Sequence, residues 1–410
     1  MQLFDTVAFK ELYNCSDAQK QRFAHLKEQF GLNFKGEPEF FSASGRCEII
    51  GNHTDHNGGK VLAGSIDLDT VAAARKTREG VIRLVSEGYD GVFTVNIWEL
   101  EPKQEERGTT LALIRGVAHR LSELGYRIGG FDACVTSNVL KGSGLSSSAS
   151  FEVLICTVIN HFYNDGAITP TEAAKVSQYA ENLHFGKPCG LMDQLACAWG
   201  NMVQMDFAPF DPTVEGVELD FKAKGYSLVI TDVRQDHADL TGEYAAITSE
   251  MALVAGYFGK RRLCEVNEDD FMRELPMLRK KCPDRAVLRA MHFFNENKRV
   301  EQATAALKRK DIQGFFDAVN ASGASSQCLL QNLFAQGSLT QGVPLALELA
   351  RNILKSRGAV RVHGGGFGGT VLAFVPLDLV WDYMAEMDRV FGQGASVELR
   401  IRKMGTAKID

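Results

Sequence analysis

Four stretches of the chain gather residue types that bind or transfer charged groups. Residues 45–59, GRCEIIGNHTDHNGG, set a guanidinium (Arg46), two imidazoles (His53, His56), a carboxylate (Asp55) and two amides (Asn52, Asn57) between glycines. Polar groups at that density need partners if they are buried, which points to the lining of a polar site; composition alone also fits a surface hairpin with a polar tip. Residues 137–150, SNVLKGSGLSSSAS, run from a predicted strand into a predicted helix. Gly142 and Gly144 let the backbone approach a ligand, and Ser146, Ser147 and Ser148 fall where unpaired amides of a helix start face an anion. This is the chemistry of a phosphate cradle, with a Ser-capped helix after a flexible turn as the alternative reading. No G-x-x-x-x-G-K-[ST] occurs, which excludes the P-loop nucleotide hydrolases.

The third stretch is RVHGGGFGGTVLAFV, residues 361–375. Gly364, Gly366 and Gly369 match G-x-G-x-x-G, but the run that follows is strand-like, so the dinucleotide-binding context is missing. A tight glycine turn between two sheet segments explains it equally well. The fourth is ENLHFGKPCGLMDQ, residues 181–194, with Glu181 late in a predicted helix and Asp193 on a loop beyond the Lys187-Pro188 break. Two acids beside a phosphate cradle invite Mg²⁺, although each alone fits a solvated surface charge.

The elements that must position these groups are of two kinds. Short Val-, Ile- and Phe-rich runs read as strands at 131–139, 201–207, 227–233 and 370–376. Longer runs with 3.6-residue spacing read as helices at 111–124, 148–162, 171–185, 242–258, 345–355 and 377–391. Strands and helices mix without strict alternation, which favours α+β over a doubly wound sheet. A domain boundary is expected at Pro209 to Pro212, dividing residues 1–210 from 211–394.

The 410 residues carry 45 Lys and Arg against 51 Asp and Glu, a net charge of −6, without the basic excess that nucleic-acid binding draws on. Apolar stretches break before about 18 residues, so neither a membrane span nor an export signal is expected. Nine scattered cysteines with no C-x-x-C pair fit reduced thiols in a cytoplasm, and the absence of H-E-x-x-H argues against a zinc hydrolase. No internal repeat appears.

In their order and identity, GRCEIIGNHTDHNGG, GSGLSSSAS, CGLMDQ and GGGFGGT resemble the GHMP small-molecule kinases, and the first resembles the signature of the galactokinase branch. The resemblance covers roughly residues 40–375. It implies a two-domain α+β protein, with a ribosomal-S5-like N-terminal domain, a ferredoxin-like C-terminal domain and ATP and sugar in the cleft between them. The C-terminal segment from about 395 to 410 is expected to return to the first domain. The implied reaction is ATP-dependent phosphorylation of the anomeric C1 hydroxyl of a monosaccharide, most readily galactose. Asp193 then accepts or orients the hydroxyl proton, while Arg46 holds Asp193 ionised and stabilises the transferring phosphoryl group. The resemblance places Mg²⁺ on Glu181 and Ser148 or Ser147. It places the ATP phosphates on Gly142, Ser143, Gly144, Leu145, Ser146, Ser147 and Ser148, with Gly366 from the third segment. It places the sugar on Asn52, His53, Asp55, Gly190 and Tyr244; Asp55 takes two adjacent hydroxyls. The partners expected are the sugar and ATP, with neither nucleic acid nor membrane, in a monomer or weak homo-oligomer.

Several positions depart from the family pattern. Asn52 stands where galactokinases have Glu at the sugar's C6 hydroxyl, and an amide there fits galacturonate or arabinose; N-acetylgalactosamine is a further alternative substrate. His56 replaces a Tyr. The stretch TLALIRGV, residues 110–117, lacks the aromatics the family places there. A catalytically silent sugar and ATP sensor is the alternative from another class, although such sensors lose parts of the serine-rich loop that this chain keeps.

Overall fold

The computed structural model describes residues 6–13, 16–140, 144–235 and 240–409. Two sheets organise the chain. The first contains β1 (Glu39–Ile50), β2 (Lys60–Lys76), β3 (Val81–Ser86), β4 (Phe93–Asn96), β5 (Phe131–Ser137), β6 (Met202–Asp206) and β7 (Thr213–Val217). The second contains β8 (Tyr226–Asp232), β9 (Ala359–His363), β10 (Thr370–Pro376) and β11 (Ser396–Leu399) in the order β11-β8-β10-β9. The last strand, β12 (Thr406–Lys408), returns to pair with β1.

Alternation along the strands sets the layers. Ala72 and Ala74 of β2 face helices Thr110–Glu123, Ser147–Tyr163 and Pro170–Tyr179, while Val71 and Ala73 face the N-terminal helices Val7–Tyr13 and Asp17–Asn33. In β10, Leu372 and Phe374 pack toward helices Asp284–Lys308 and Ile312–Ser325, and Val371, Ala373 and Val375 toward helices Gly342–Leu354 and Val380–Phe391. A sheet covered on both faces reads as the unbroken apolar run TVLAFV. The cluster around Leu372 also takes Cys47, Ile49, Leu62 and Leu145 from the first sheet's side, so apolar packing joins the two sheets beside the glycine-rich segments.

Two expected divisions of the chain are corrected. Pro209 to Pro212 form the turn of the β6–β7 hairpin, so the first sheet extends to Val217 and passage to the second falls at 218–225. The proline signal marked a turn, not a domain boundary. The C-terminal segment divides as well: β11 pairs with β8, and the return to the first sheet begins with the Ile66–Ile401 bridge. Among the described residues no helix is long and apolar enough to cross a membrane, and the described cysteines are free thiols.

Candidate active site

The four glycine-rich stretches converge where the two sheets meet. Gly51–Gly59 is the turn between β1 and β2, residues 138–146 join β5 to helix Ser147–Tyr163, and Gly364–Gly369 joins β9 to β10. Gly364 lies beside Gly144: a Cβ on it would sit 3.9 Å from Gly144 Cα.

Arg46 owes its position to a bulge. The β1–β2 register shifts between Ser44 and Arg46, and the Arg46 backbone N–H then donates to Leu145 O at 3.1 Å. A bulge of this kind turns one side chain out of the ladder. Arg46 donates from Nε to Asp193 Oδ1 at 2.9 Å, with Nη2 at 2.8 Å from the same oxygen, and from Nη1 to Gly144 O. The other Asp193 oxygen accepts from Ser146 Oγ. Asp193 sits in the first turn of helix Met192–Trp199, not on the loop the Lys-Pro break suggested.

Ser146 precedes helix Ser147–Tyr163 at φ +61° and makes no side-chain cap. With its hydroxyl turned to Asp193, the amides at that helix start keep their capacity for an anion, unlike those of a Ser-capped helix. Leu145 is wholly buried and contributes its carbonyl, while Ser147 opens the helix. Gly142 and Ser143 lie outside the described residues.

Ser148 Oγ is 3.3 Å from Glu181 Oε1. Glu181 is carried by a π-helical turn, Ala180–Phe185, that extends helix Pro170–Tyr179 and ends at Gly186, φ +84°. Gln194 Nε2 bridges Glu181 Oε2 at 2.8 Å and Glu152 Oε2 at 3.3 Å. Burial, with the Glu181 charge close by, raises the Glu152 pKa well above the carboxylate range, and Glu152 Oε1 has no partner. Among the described residues no three His, Cys, Asp or Glu side chains form a metal cage. A hydroxyl beside one carboxylate is instead the hard-oxygen set of an ion that draws its remaining ligands from phosphate and water.

A cavity of about 990 Å³ opens beside Arg46 and is also lined by His53, Asp55, His56, Gly190 and Tyr244. Asp55 lies in the short turn Asp55–Asn57, where burial raises its pKa against the pull of His53. Gly190 packs against it so closely that a Cβ would collide with Asp55 Oδ2. Burial pushes His53 and His56 down to about 4, so both rings are neutral at pH 7. His53 Nε2 is 2.9 Å from Gly365 O, which makes Nε2 the donor and leaves Nδ1 an acceptor. Tyr244 donates to Gly366 O at 3.0 Å.

Two expected contacts need correction. Asn52 borders the cavity, but its side chain is wholly buried and engaged: Nδ2 donates to Glu48 Oε1 at 2.9 Å and to Gly364 O at 2.5 Å, and Oδ1 accepts from Asn332 Nδ2 at 2.6 Å. It ties the sugar-side loop to the third glycine segment and has no free donor for a C6 group. Gly366 faces Asn332 and Tyr244, and Gly364 rather than Gly366 approaches the phosphate loop. Sequence reasoning missed Glu48, which is buried on β1, borders the cavity and lies 3.5 Å from Arg361. It also missed His363, whose Nε2 accepts the Glu48 N–H at 3.1 Å. A charged residue amid the apolar run of β1 was the available signal for Glu48.

The fold and the facing glycine segments define a GHMP kinase. The GHMP kinases N terminal domain matches residues 112–201, and the galactokinase galactose-binding signature matches residues 28–76. A galactokinase of Clostridium tetani is 30% identical over 365 residues, 85% of this chain and 87% of that protein. One of Streptomyces coelicolor is 30% identical over 353 residues, again 85% of this chain and 87% of that protein. The crystal structure of Lactococcus lactis galactokinase complexed with galactose superposes with a TM-score of 0.80 at 26% identity, over 94% of this chain and 100% of that one. The chain belongs to the galactokinase family. It is a sugar kinase of the GHMP fold, and membership of a kinase family implies ATP as co-substrate.

Proposed function

We propose that the chain transfers the γ-phosphoryl group of ATP to the anomeric C1 hydroxyl of galactose, giving galactose 1-phosphate and ADP. The observation that carries this reading is the Arg46–Asp193–Ser146 contact, which joins a carboxylate to an uncapped helix start beside a polar cavity. The C1 oxygen bonds to the γ-phosphorus as the bond to the β–γ bridging oxygen breaks. Asp193 takes the hydroxyl proton and releases it to solvent. Arg46 fixes the orientation of Asp193, so much of the rate enhancement comes from positioning. Asp55 accepts from two adjacent sugar hydroxyls, and the neutral His53 offers Nδ1 as a further acceptor.

Ser148 and Glu181 suit Mg²⁺, with Ser147 as the alternative hydroxyl. When bound, that ion neutralises charge on the β- and γ-phosphates. The helix start and residues 144–146 hold the phosphates. Coupled ADP release, measured over galactose, galacturonate, arabinose and N-acetylgalactosamine with Asp193→Ala as control, tests the reading. Turnover is expected on galactose and absent in the variant. Faster turnover on galacturonate would reassign the substrate, and silence on every sugar would make the chain a sensor.

A further inference from the structure

Arg46 is pinned: Nε and Nη2 hold Asp193, and Nη1 holds the Gly144 carbonyl. A second cation lies close by without such restraint. Lys187 Nζ is 3.3 Å from Glu181 Oε1, the same oxygen that accepts from Ser148 Oγ. The Lys187 side chain is 64% exposed and that of Glu181 only 4%, so the ammonium covers the solvent side of a buried carboxylate.

The backbone beneath is fixed. The N–H groups of Gly186 and Lys187 both donate to Glu181 O, at 3.0 and 3.1 Å. The side chain above retains its rotatable stem, so the ammonium can change partner at little cost. It lies within electrostatic reach of the reaction centre: the Asp193 charge is among those that act on Lys187, and Lys187 in turn acts on the Tyr244 phenol.

We propose that Lys187 is a mobile cation of the phosphoryl-transfer site. Without nucleotide it neutralises Glu181 where the divalent ion later binds, and on nucleotide binding it moves to the terminal phosphate. The inference rests on the functional reading above, which puts the nucleotide phosphates and Mg²⁺ beside Ser148 and Glu181. An exposed ammonium on a buried carboxylate is held weakly enough to be displaced, and a terminal phosphate brought against Ser148 supplies the stronger partner. Lys187 thus competes with the metal before the nucleotide arrives and assists transfer afterwards. These two effects have opposite signs in a variant that lacks the charge.

The experiment compares wild type, Lys187→Met and Lys187→Arg. Binding of the non-hydrolysable analogue AMP-PNP is followed by calorimetry as Mg²⁺ is titrated, and kcat and both KM values are measured separately. In Lys187→Met the half-saturating Mg²⁺ concentration is expected to fall about threefold or more. In the same variant kcat falls about tenfold and the sugar KM stays within twofold. Lys187→Arg recovers most of kcat. A Met variant with both the Mg²⁺ midpoint and kcat within twofold of wild type overturns the proposal, as does a loss of kcat that the Arg variant does not restore. A merely structural role would leave the Mg²⁺ midpoint unmoved or raise it. If wild type itself shows no Mg²⁺-dependent AMP-PNP binding, the functional reading fails first; normal wild-type behaviour with an indifferent Met variant sinks the Lys187 role alone. Should Lys187→Met not fold, Lys187→Gln serves in its place, with the sugar-induced rise in Tm as the check on folding.

Discussion

Arg46 reaches Asp193 Oδ1 with two nitrogens, Nε at 2.9 Å and Nη2 at 2.8 Å, leaving Oδ2 to the Ser146 hydroxyl. The carboxylate is thus held from two sides, by a strand and by a helix start. Asp193→Asn keeps the shape but removes the charge and one acceptor, so kcat should fall about 10²- to 10⁴-fold while sugar KM changes little. Arg46→Lys puts a point charge where a fork was, and its loss should fall mainly on kcat as well. Steady-state kinetics on galactose check both. A change confined to KM would assign the pair to sugar binding instead.

Gly190 has no room for a side chain, because Asp55 Oδ2 occupies the space a Cβ would take. Gly190→Ala must displace Asp55 or the loop that carries Gly190. A shift of about 1 Å at the diol acceptor should lower kcat/KM for galactose about a hundredfold, with AMP-PNP affinity retained. Wild-type kcat/KM in this variant would remove Asp55 from the sugar contacts.

Asn52 occupies the position expected from the sequence to select the C6 substituent. The structure makes it a buried amide bridge between Glu48, Gly364 and Asn332. Asn52→Glu then sets a second carboxylate against Glu48 and loses the two bonds its amide donates. The cost is roughly 3 kcal/mol or more, seen as a lower urea midpoint. An unchanged midpoint together with a changed galactose-to-galacturonate ratio would restore the C6 role.

These cases show where the sequence was legible. Arg46, Asp55, Glu181, Gly190 and Asp193 stand in short segments whose polar types and glycines announce a site, and the strand TVLAFVP coincides with β10. Less could be read wherever the decisive partner is remote. Asn332 meets Asn52 across 280 positions, and His363 meets Glu48 across 315. The bulge that aims Arg46 left only a glycine at position 45 as its trace. Pro209 to Pro212 signalled a break correctly, but local turn chemistry is the same for a hairpin as for a domain boundary.

The loop that opens at Gly51 is anchored at that first residue by a buried acid. Glu296 accepts from the Gly51 N–H at 3.0 Å and from Ser322 Oγ, and Arg299 donates to it from Nε at 2.7 Å. Burial opposes its charge, but His292, Arg299 and Arg361 outweigh that and hold its pKa at about 2, against 4.5 ordinarily. Burial also lowers the pKa of His292, so at neutral pH the two guanidiniums carry the attraction. A depressed carboxylate pKa favours the folded state above the unfolded value, and that contribution is lost as pH falls from 4.5 toward about 2. It is at most of the order of 3 kcal/mol, at about 1.4 kcal/mol per pKa unit, because the His292 charge that helps to set the value of about 2 is absent at neutral pH. Glu296→Gln should therefore lower the urea midpoint at pH 7, and the gap from wild type should narrow steadily below pH 4.5. The galactose KM should rise at pH 7, because the loop bearing His53 and Asp55 loses its anchor at Gly51. A stability gap that stays constant from pH 7 to pH 3 would mean that the Glu296 charge contributes nothing to holding the loop.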